Sequence, residues 1–144
     1  MPVKSRRKLI FVLIALACLF LVWEFLWPTY RDHSRRSFAG RAMVMASDLR
    51  PVIAERLRKR EGGAAINAGL RIAAQPPVTG GYVASDGTVV VDAELDYFVP
   101  FTFILRPRLN SKNEVEWTCG VVKQEQTQYT SQQCRRVLEI PDRR

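Results

Sequence analysis

Two kinds of hydrophobic pattern divide the chain. Residues Leu9 to Trp27 read LIFVLIALACLFLVWEFLW, an apolar run in which only Glu24 is charged. A bilayer core about 30 Å thick takes roughly 20 helical residues, so this run predicts a membrane-spanning helix. Beyond Pro28 the apolar positions thin out and become periodic. Between Ser34 and Glu61 the residues Phe38, Ala42, Met45, Leu49, Val52 or Ile53, and Arg56 or Leu57 recur at steps of three and four. That period predicts an amphipathic helix with its stripe on a core. Arg35, Arg36, Arg41, Asp48, Glu55 and Arg58 fall on its other faces. Pro51 is expected to bend this helix, because proline removes a backbone donor. Gly62-Gly63 is expected to end it.

From Tyr82 onward the period is two. Tyr82 to Ala84 and Thr88 to Leu95 flank Asp86-Gly87, a dipeptide suited to a tight hairpin. Val89, Val91, Ala93 and Leu95 share one face of the second strand; Thr88, Val90, Asp92, Glu94 and Asp96 share the other. A third strand carries Phe101, Phe103 and Leu105 and is expected to stop at Pro107. After a polar loop, Arg108 to Asn113, a fourth places Val115, Trp117 and Cys119 opposite Glu114, Glu116 and Thr118. Ala64 to Gly80 reads as a connector. The fold class is therefore α+β, with an antiparallel sheet of four strands packed on one side by a helix.

Charge and cysteines refine the organisation. Lys4, Arg6, Arg7 and Lys8 precede the apolar run, favouring a cytoplasmic N-terminus, although Arg31, Arg35, Arg36 and Arg41 follow it. Trp23, Glu24, Trp27 and Tyr30 stand where aromatic and charged side chains meet a membrane interface. The run is longer than a cleaved signal's apolar stretch and exits on bulky aromatics. The string ALAC at Ala15 to Cys18 only faintly resembles a lipoprotein signal, so an uncleaved anchor is expected. Three segments follow: a basic segment 1–8, a span 9–27 and one head domain 28–144. Cys18 lies in the span, and Cys119 and Cys134 lie in the head. An even pair there suits an oxidising compartment such as a bacterial periplasm; two reduced cysteines in a cytosolic head is the alternative.

Candidate chemistry is sparse. The one histidine, His33, sits between Asp32 and Ser34, and consecutive helical residues point in different directions, so no triad is expected. Asp92, Glu94 and Asp96 share a strand face and suggest either a cation site or the wet face of an edge or outer strand, the second being preferred. No phosphate-binding glycine loop, zinc spacing or cofactor motif is present, and a non-enzymatic role is expected. The net charge of +8 raises nucleic acid or anionic lipid as partners. Scattered arginines without interleaved aromatics read as solvated surface.

The order of helix, loop, four strands and cysteine pair resembles the type IV pilins. WPTYRDH matches that family's Pro-x-Tyr-x-Asp pattern through Pro28, Tyr30 and Asp32. SRRSFAGRAMVMASDLRPVIAE resembles the pilin helix entering the head, and FILRPRLNSKNEVEWTCG resembles a strand-loop-strand closing on Trp-Thr-Cys. SQQCRR resembles the second cysteine of the family's bounded loop. The resemblance spans about Leu9 to Arg136 and implies a Cys119–Cys134 disulfide around the loop Gly120 to Gln133. It also implies a span continuing into the head. Pilin precursors carry a cleavage glycine, then an aromatic residue that becomes the methylated terminus, then a glutamate four positions on. Counted back from Pro28, those places hold Arg6, Arg7 and Phe11. The expected function is thus a non-polymerising, inner-membrane protein that contacts pilin subunits or pilus assembly proteins. The alternatives are a periplasmic immunity or inhibitor module on the same scaffold, or a minor pilin binding DNA.

Overall fold

A computed structural model describes residues 3–59 and 64–141 of the 144. The expected glycine stop at Gly62-Gly63 lies outside the described residues. The chain forms two units, Met1–Ser34 and Arg35–Arg144.

The first unit is helical. Helix α1, Val3–Leu21, passes through a π-helical turn at Val22–Leu26 into helix α2, Trp27–Ser47. Its apolar side chains are exposed, Phe11 at 73% and Trp23 at 67%. One described helix, within Lys8–Arg58, is long and apolar enough to cross a membrane, and none of its most apolar 18 residues is buried by the protein itself. Such a surface calls for apolar surroundings.

The head is an α+β unit with the layout expected. Strands β1 (Val78–Val83), β2 (Val89–Leu95), β3 (Val99–Leu109) and β4 (Val115–Val121) form one antiparallel sheet in the order β1-β2-β3-β4. Register places Val89 opposite Leu105, Val91 opposite Phe103 and Ala93 opposite Phe101. All six belong to one buried cluster with Ala39, Ala42, Ala46 and Ile53. The two-residue alternation therefore selects the face that meets the helices. Ala39 and Ala46, absent from the expected stripe, are fully buried.

The helix expected over Ser34 to Glu61 is two helices. Helix α2 stops at Ser47, and α3 runs from Arg50 to Arg58 with Pro51 in its first turn. A proline ring clashes with the carbonyl four residues earlier, here that of Ser47, so the break falls where it must. In the first turn Pro51 forfeits no intrahelical bond. The connector also differs. It contains a short helix α4, Ala64–Asn67, and β1 begins at Val78 rather than Tyr82. Arg56 Nη1 donates to the carbonyls of Ala65, Ile66 and Ala68 at 2.8–3.1 Å, tying this segment to α3.

The β1–β2 connection is a five-residue loop, 84–88, rather than a two-residue turn. Asp86 accepts from both the Thr88 amide and its hydroxyl at 2.8 Å, and Gly87 adopts φ +85°. Strand β3 does not stop at Pro107. It continues to Leu109, pairing with β4 only. Its last partner on β2 is at Leu105, so Pro107 lies where β3 has an open side and a missing donor is tolerated.

The second face of the sheet was expected to be wet. Instead Val90 is 1% exposed and Ile104 is fully buried. The cross-strand row Tyr82, Val90, Ile104, Gly120 runs beneath the C-terminal segment. That segment bonds to β4 through Val121 N to Arg136 O (2.8 Å) and Leu138 N to Val121 O (2.9 Å). Arg106 Nη2 then donates to Glu139 O (3.0 Å), and the Tyr82 hydroxyl donates to Pro141 O (3.1 Å). Residues 136–141 thus form a strap from one edge strand to the other.

Gly120 is what admits the strap. A Cβ there would lie 2.5 Å from Arg136 O and 2.7 Å from Leu138 Cγ. Gly120→Ala is expected to destabilise the full chain by about 2 kcal/mol, as overpacking does. Urea titration in detergent, followed by tryptophan fluorescence, measures this; an unchanged midpoint would mean the strap contributes nothing.

Candidate functional site

Two regions carry the residues singled out from sequence, and each is taken within its own unit. In the first, Trp23 and Glu24 lie in the π-helical turn and Trp27 and Tyr30 in the turns after it. The rings of Trp23 and Trp27 stack at 5.8 Å between centroids and 5° between planes. Four residues apart on a helix, they occupy one side of it. Thr29 Oγ1 donates to Phe25 O at 2.9 Å, a carbonyl within the widened turn. All four singled-out residues are exposed, so two indoles, a phenol and a carboxylate are presented within about two turns of helix. Aromatic rings with a polar edge favour a boundary between apolar and aqueous surroundings. His33 and Asp32 are exposed on α2, and Ser34 is half-buried; their succession along one helix leaves them facing different ways.

In the head, Cys119 and Cys134 form a disulfide with Cα atoms 4.8 Å apart. Cys119 sits on β4, whose inward face carries it beside Trp117, while Cys134 ends a short 3₁₀ turn and is buried. The loop they close is built inward. Gln126 is 4% exposed; its Nε2 donates to Pro100 O at 3.0 Å, and its Oε1 accepts from the Lys123 amide at 3.3 Å. Tyr129 is 9% exposed, and its hydroxyl accepts from Arg35 Nη1 at 3.2 Å. Thr130 Oγ1 bonds the carbonyls of Thr127 (2.9 Å) and Cys134 (3.3 Å). The Gln126, Tyr129 and Thr130 side chains of the loop each have a partner, which is the condition for burying them cheaply.

No periodicity in QEQTQYTSQQ distinguishes Gln126, Tyr129 and Thr130 from their exposed neighbours. Only the lone tyrosine among polar residues hints at an anchor. The Arg50 guanidinium lies over the Trp117 ring at 5.7 Å, a cation–π contact.

The carboxylate row resolves differently from its expected reading. Strand β2 is interior, neither an edge nor an outer strand. Asp92 Oδ1 accepts from Thr102 Oγ1 at 2.8 Å across to β3. Among the described residues no three His, Cys, Asp or Glu side chains gather closely enough to hold a metal ion. Lys59, which caps the C-terminal end of α3, lies 2.7 Å from Glu55 and lowers that carboxyl's pKa through their hydrogen bond and opposite charge.

No protein-family profile matches the chain, and no curated protein or solved structure is significantly similar to it.

Replacing Cys119 and Cys134 together by serine is expected to cost about 3 kcal/mol, the chain-entropy value for a loop of about 15 residues. Tyr129→Phe should cost about 1 kcal/mol by leaving Arg35 without its acceptor. Denaturant titration of the oxidised and reduced full chain measures both. A serine variant as stable as the parent would remove the disulfide from the list of stabilising contacts.

Proposed function

We propose that this is a membrane-anchored, pilin-like accessory protein that stays in a bacterial inner membrane and assists or regulates pilus assembly by contacting pilins. In this reading the N-terminus is cytoplasmic and the head periplasmic, where an oxidising compartment maintains the Cys119–Cys134 bond. The observation that carries it is a conjunction. An apolar helix with Pro28, Tyr30 and Asp32 at its exit is followed by a four-stranded antiparallel sheet and a cysteine-closed loop. That is the order of parts found in pilins.

The same count back from Pro28 supports the accessory role rather than polymerisation. Arg6, Arg7 and Phe11 stand where a subunit would carry its cleavage glycine, new terminus and glutamate. A filament subunit uses that glutamate to neutralise a neighbour's buried amine. An unpaired charge there would be costly. Association through the span needs no such carboxylate. Helices in lipid associate by close packing, and Ala15 and Ala17 offer small side chains for it.

Crosslinking tests this directly. A photo-reactive residue at Ile14, beside Ala15, in the native membrane should capture a major pilin. Intact mass should show residues 4–8 retained, without a methylated terminus. Failure to capture any pilus-system component would reject the reading, and a methylated terminus at Arg7 would replace it with a processed pilin.

A further inference from the structure

The sheet has two edges, and the chain closes one of them. Along β4, Arg136 and Leu138 bond Val121 as a short parallel bridge around Val137. β1 is the other edge strand. In an antiparallel pair, residues that bond across alternate with residues whose backbone groups point away. Ala84 N donates to Thr88 O at 2.8 Å, so by the constant register Tyr82 bonds Val90, while Gly81 and Val83 turn their amides and carbonyls outward. Asn67 Nδ2 donates to Val83 O at 3.3 Å, which agrees with that parity and occupies one outward carbonyl. The amide and carbonyl of Gly81 have no partner among the described residues.

Edge strands are ordinarily protected by charge, proline or a bulge. β1 has such protection only at its start, where Pro76-Pro77 precede it and the register shifts between Val78 and Gly80. From Gly80 to Val83 the strand reads GGYV, without a charge. Two hollows open on this stretch. One, about 500 Å³, lies between Gly81–Val83 and the connector residues Asn67, Leu70, Arg71 and Ile72. The other, about 250 Å³, is lined by the same three strand residues and Asp92. Leu70 and Ile72 are half-buried against the inner core, and Ile72 Cδ1 stands 2.7 Å from where a Cβ on Gly81 would be. Asp92 is on the outer face; one of its oxygens accepts from Thr102, and the other has no partner among the described residues. Gly80 is its cross-strand neighbour on β1, and a Cβ there would meet nothing within 4 Å.

We propose that the Gly80–Val83 edge of β1 binds an extended segment of a partner protein in which a lysine or arginine adjoins an apolar residue. The backbone pattern identifies the occupant: one residue of an antiparallel strand exchanges both of its bonds with the amide and carbonyl of Gly81. The residue set against Gly81 shares its face, so its side chain lies over Leu70 and Ile72 and is apolar. The adjoining residue, set against Gly80, turns to the outer face. Gly80 has no side chain to stand in the way, so a long cationic side chain crosses to Asp92. Arg71, at the inner hollow, repels a segment that turns its cation inward. Main-chain bonds thus supply attachment, and the two hollows supply the choice of sequence. The proposal stands apart from any contact made by the span.

Fluorescence anisotropy of the full chain in a non-ionic detergent tests it, with the probe fluorescein-Thr-Lys-Val-Lys-Val-Lys-Thr-amide. The peptide should bind saturably below about 1 mM. Methylating its valine nitrogens, or replacing its lysines by glutamate, should each weaken binding about tenfold or more. Asp92→Asn keeps the acceptor for Thr102 and loses the charge, while Gly80→Val fills open space on a strand, so both fold; each should weaken the peptide about tenfold. Amide exchange followed by NMR should slow at Gly81 on binding and stay unchanged at Tyr82, which is already bonded to β2. Absence of saturation below about 1 mM overturns the proposal. Equal binding of the methylated or glutamate peptide overturns it too, as does exchange at Gly81 that the peptide leaves unaltered.

Discussion

The register of β2 on β3 is the constraint from which the head follows. Because side chains alternate, a slip of one residue would send Val89, Val91, Ala93 and Leu95 to the opposite face. Their partners Leu105, Phe103 and Phe101 fix the choice, since only this register buries aliphatic and aromatic side chains together against α2 and α3. Everything on the inner side then has a place. Ala39, Ala42 and Ala46 are small, so the α2 face is filled by the sheet's larger phenylalanines rather than by its own side chains. Ile53 of α3 completes the layer and reaches the hairpin, where its Cγ2 would stand 3.0 Å from a Cβ added at Gly87.

The same register fixes the outer row of Tyr82, Val90, Ile104 and Gly120, and here the sheet needs a second cover. One strip of chain supplies it. Arg106 and Tyr82 reach from the sheet to backbone carbonyls of the strap, so its polar groups are satisfied by side chains where no strand lies alongside. The head is thus a sheet closed on one side by helices and on the other by an extended segment rooted at the disulfide.

Much of this was legible in the chain. The alternation along β2, β3 and β4 and the three-four spacing of Phe38, Ala42, Met45 and Leu49 express burial on one side, which is what sequence periodicity records. The parts that were not legible obey other physics. β1 begins in VTGG, where two glycines carry no pattern. The outer row ends on Gly120, against which Leu138 of RRVLEIP lies, and that segment has neither period because an irregular strap makes few apolar contacts. Proline cannot donate, so Pro107 reads as a stop, yet whether a donor is needed depends on where the neighbouring strand ends, a tertiary fact. In the cysteine-closed loop, Gln126 and Tyr129 are buried by hydrogen bonds to Pro100 and Arg35, far away in sequence. At the apolar helix the residue types alone were sufficient, since solvent preference is a property of composition.

The strap has a consequence for how the chain is made. Residues 136–141 are synthesised after all four strands, so Val90 and Ile104 are uncovered while the rest of the head emerges. The sheet can assemble its inner layer early, but its outer layer waits for residues 136–141 to arrive. During that interval the nascent head presents a sticky aliphatic strip to whatever shares its compartment. Completion of the domain therefore waits on residues 136–141 rather than accreting strand by strand.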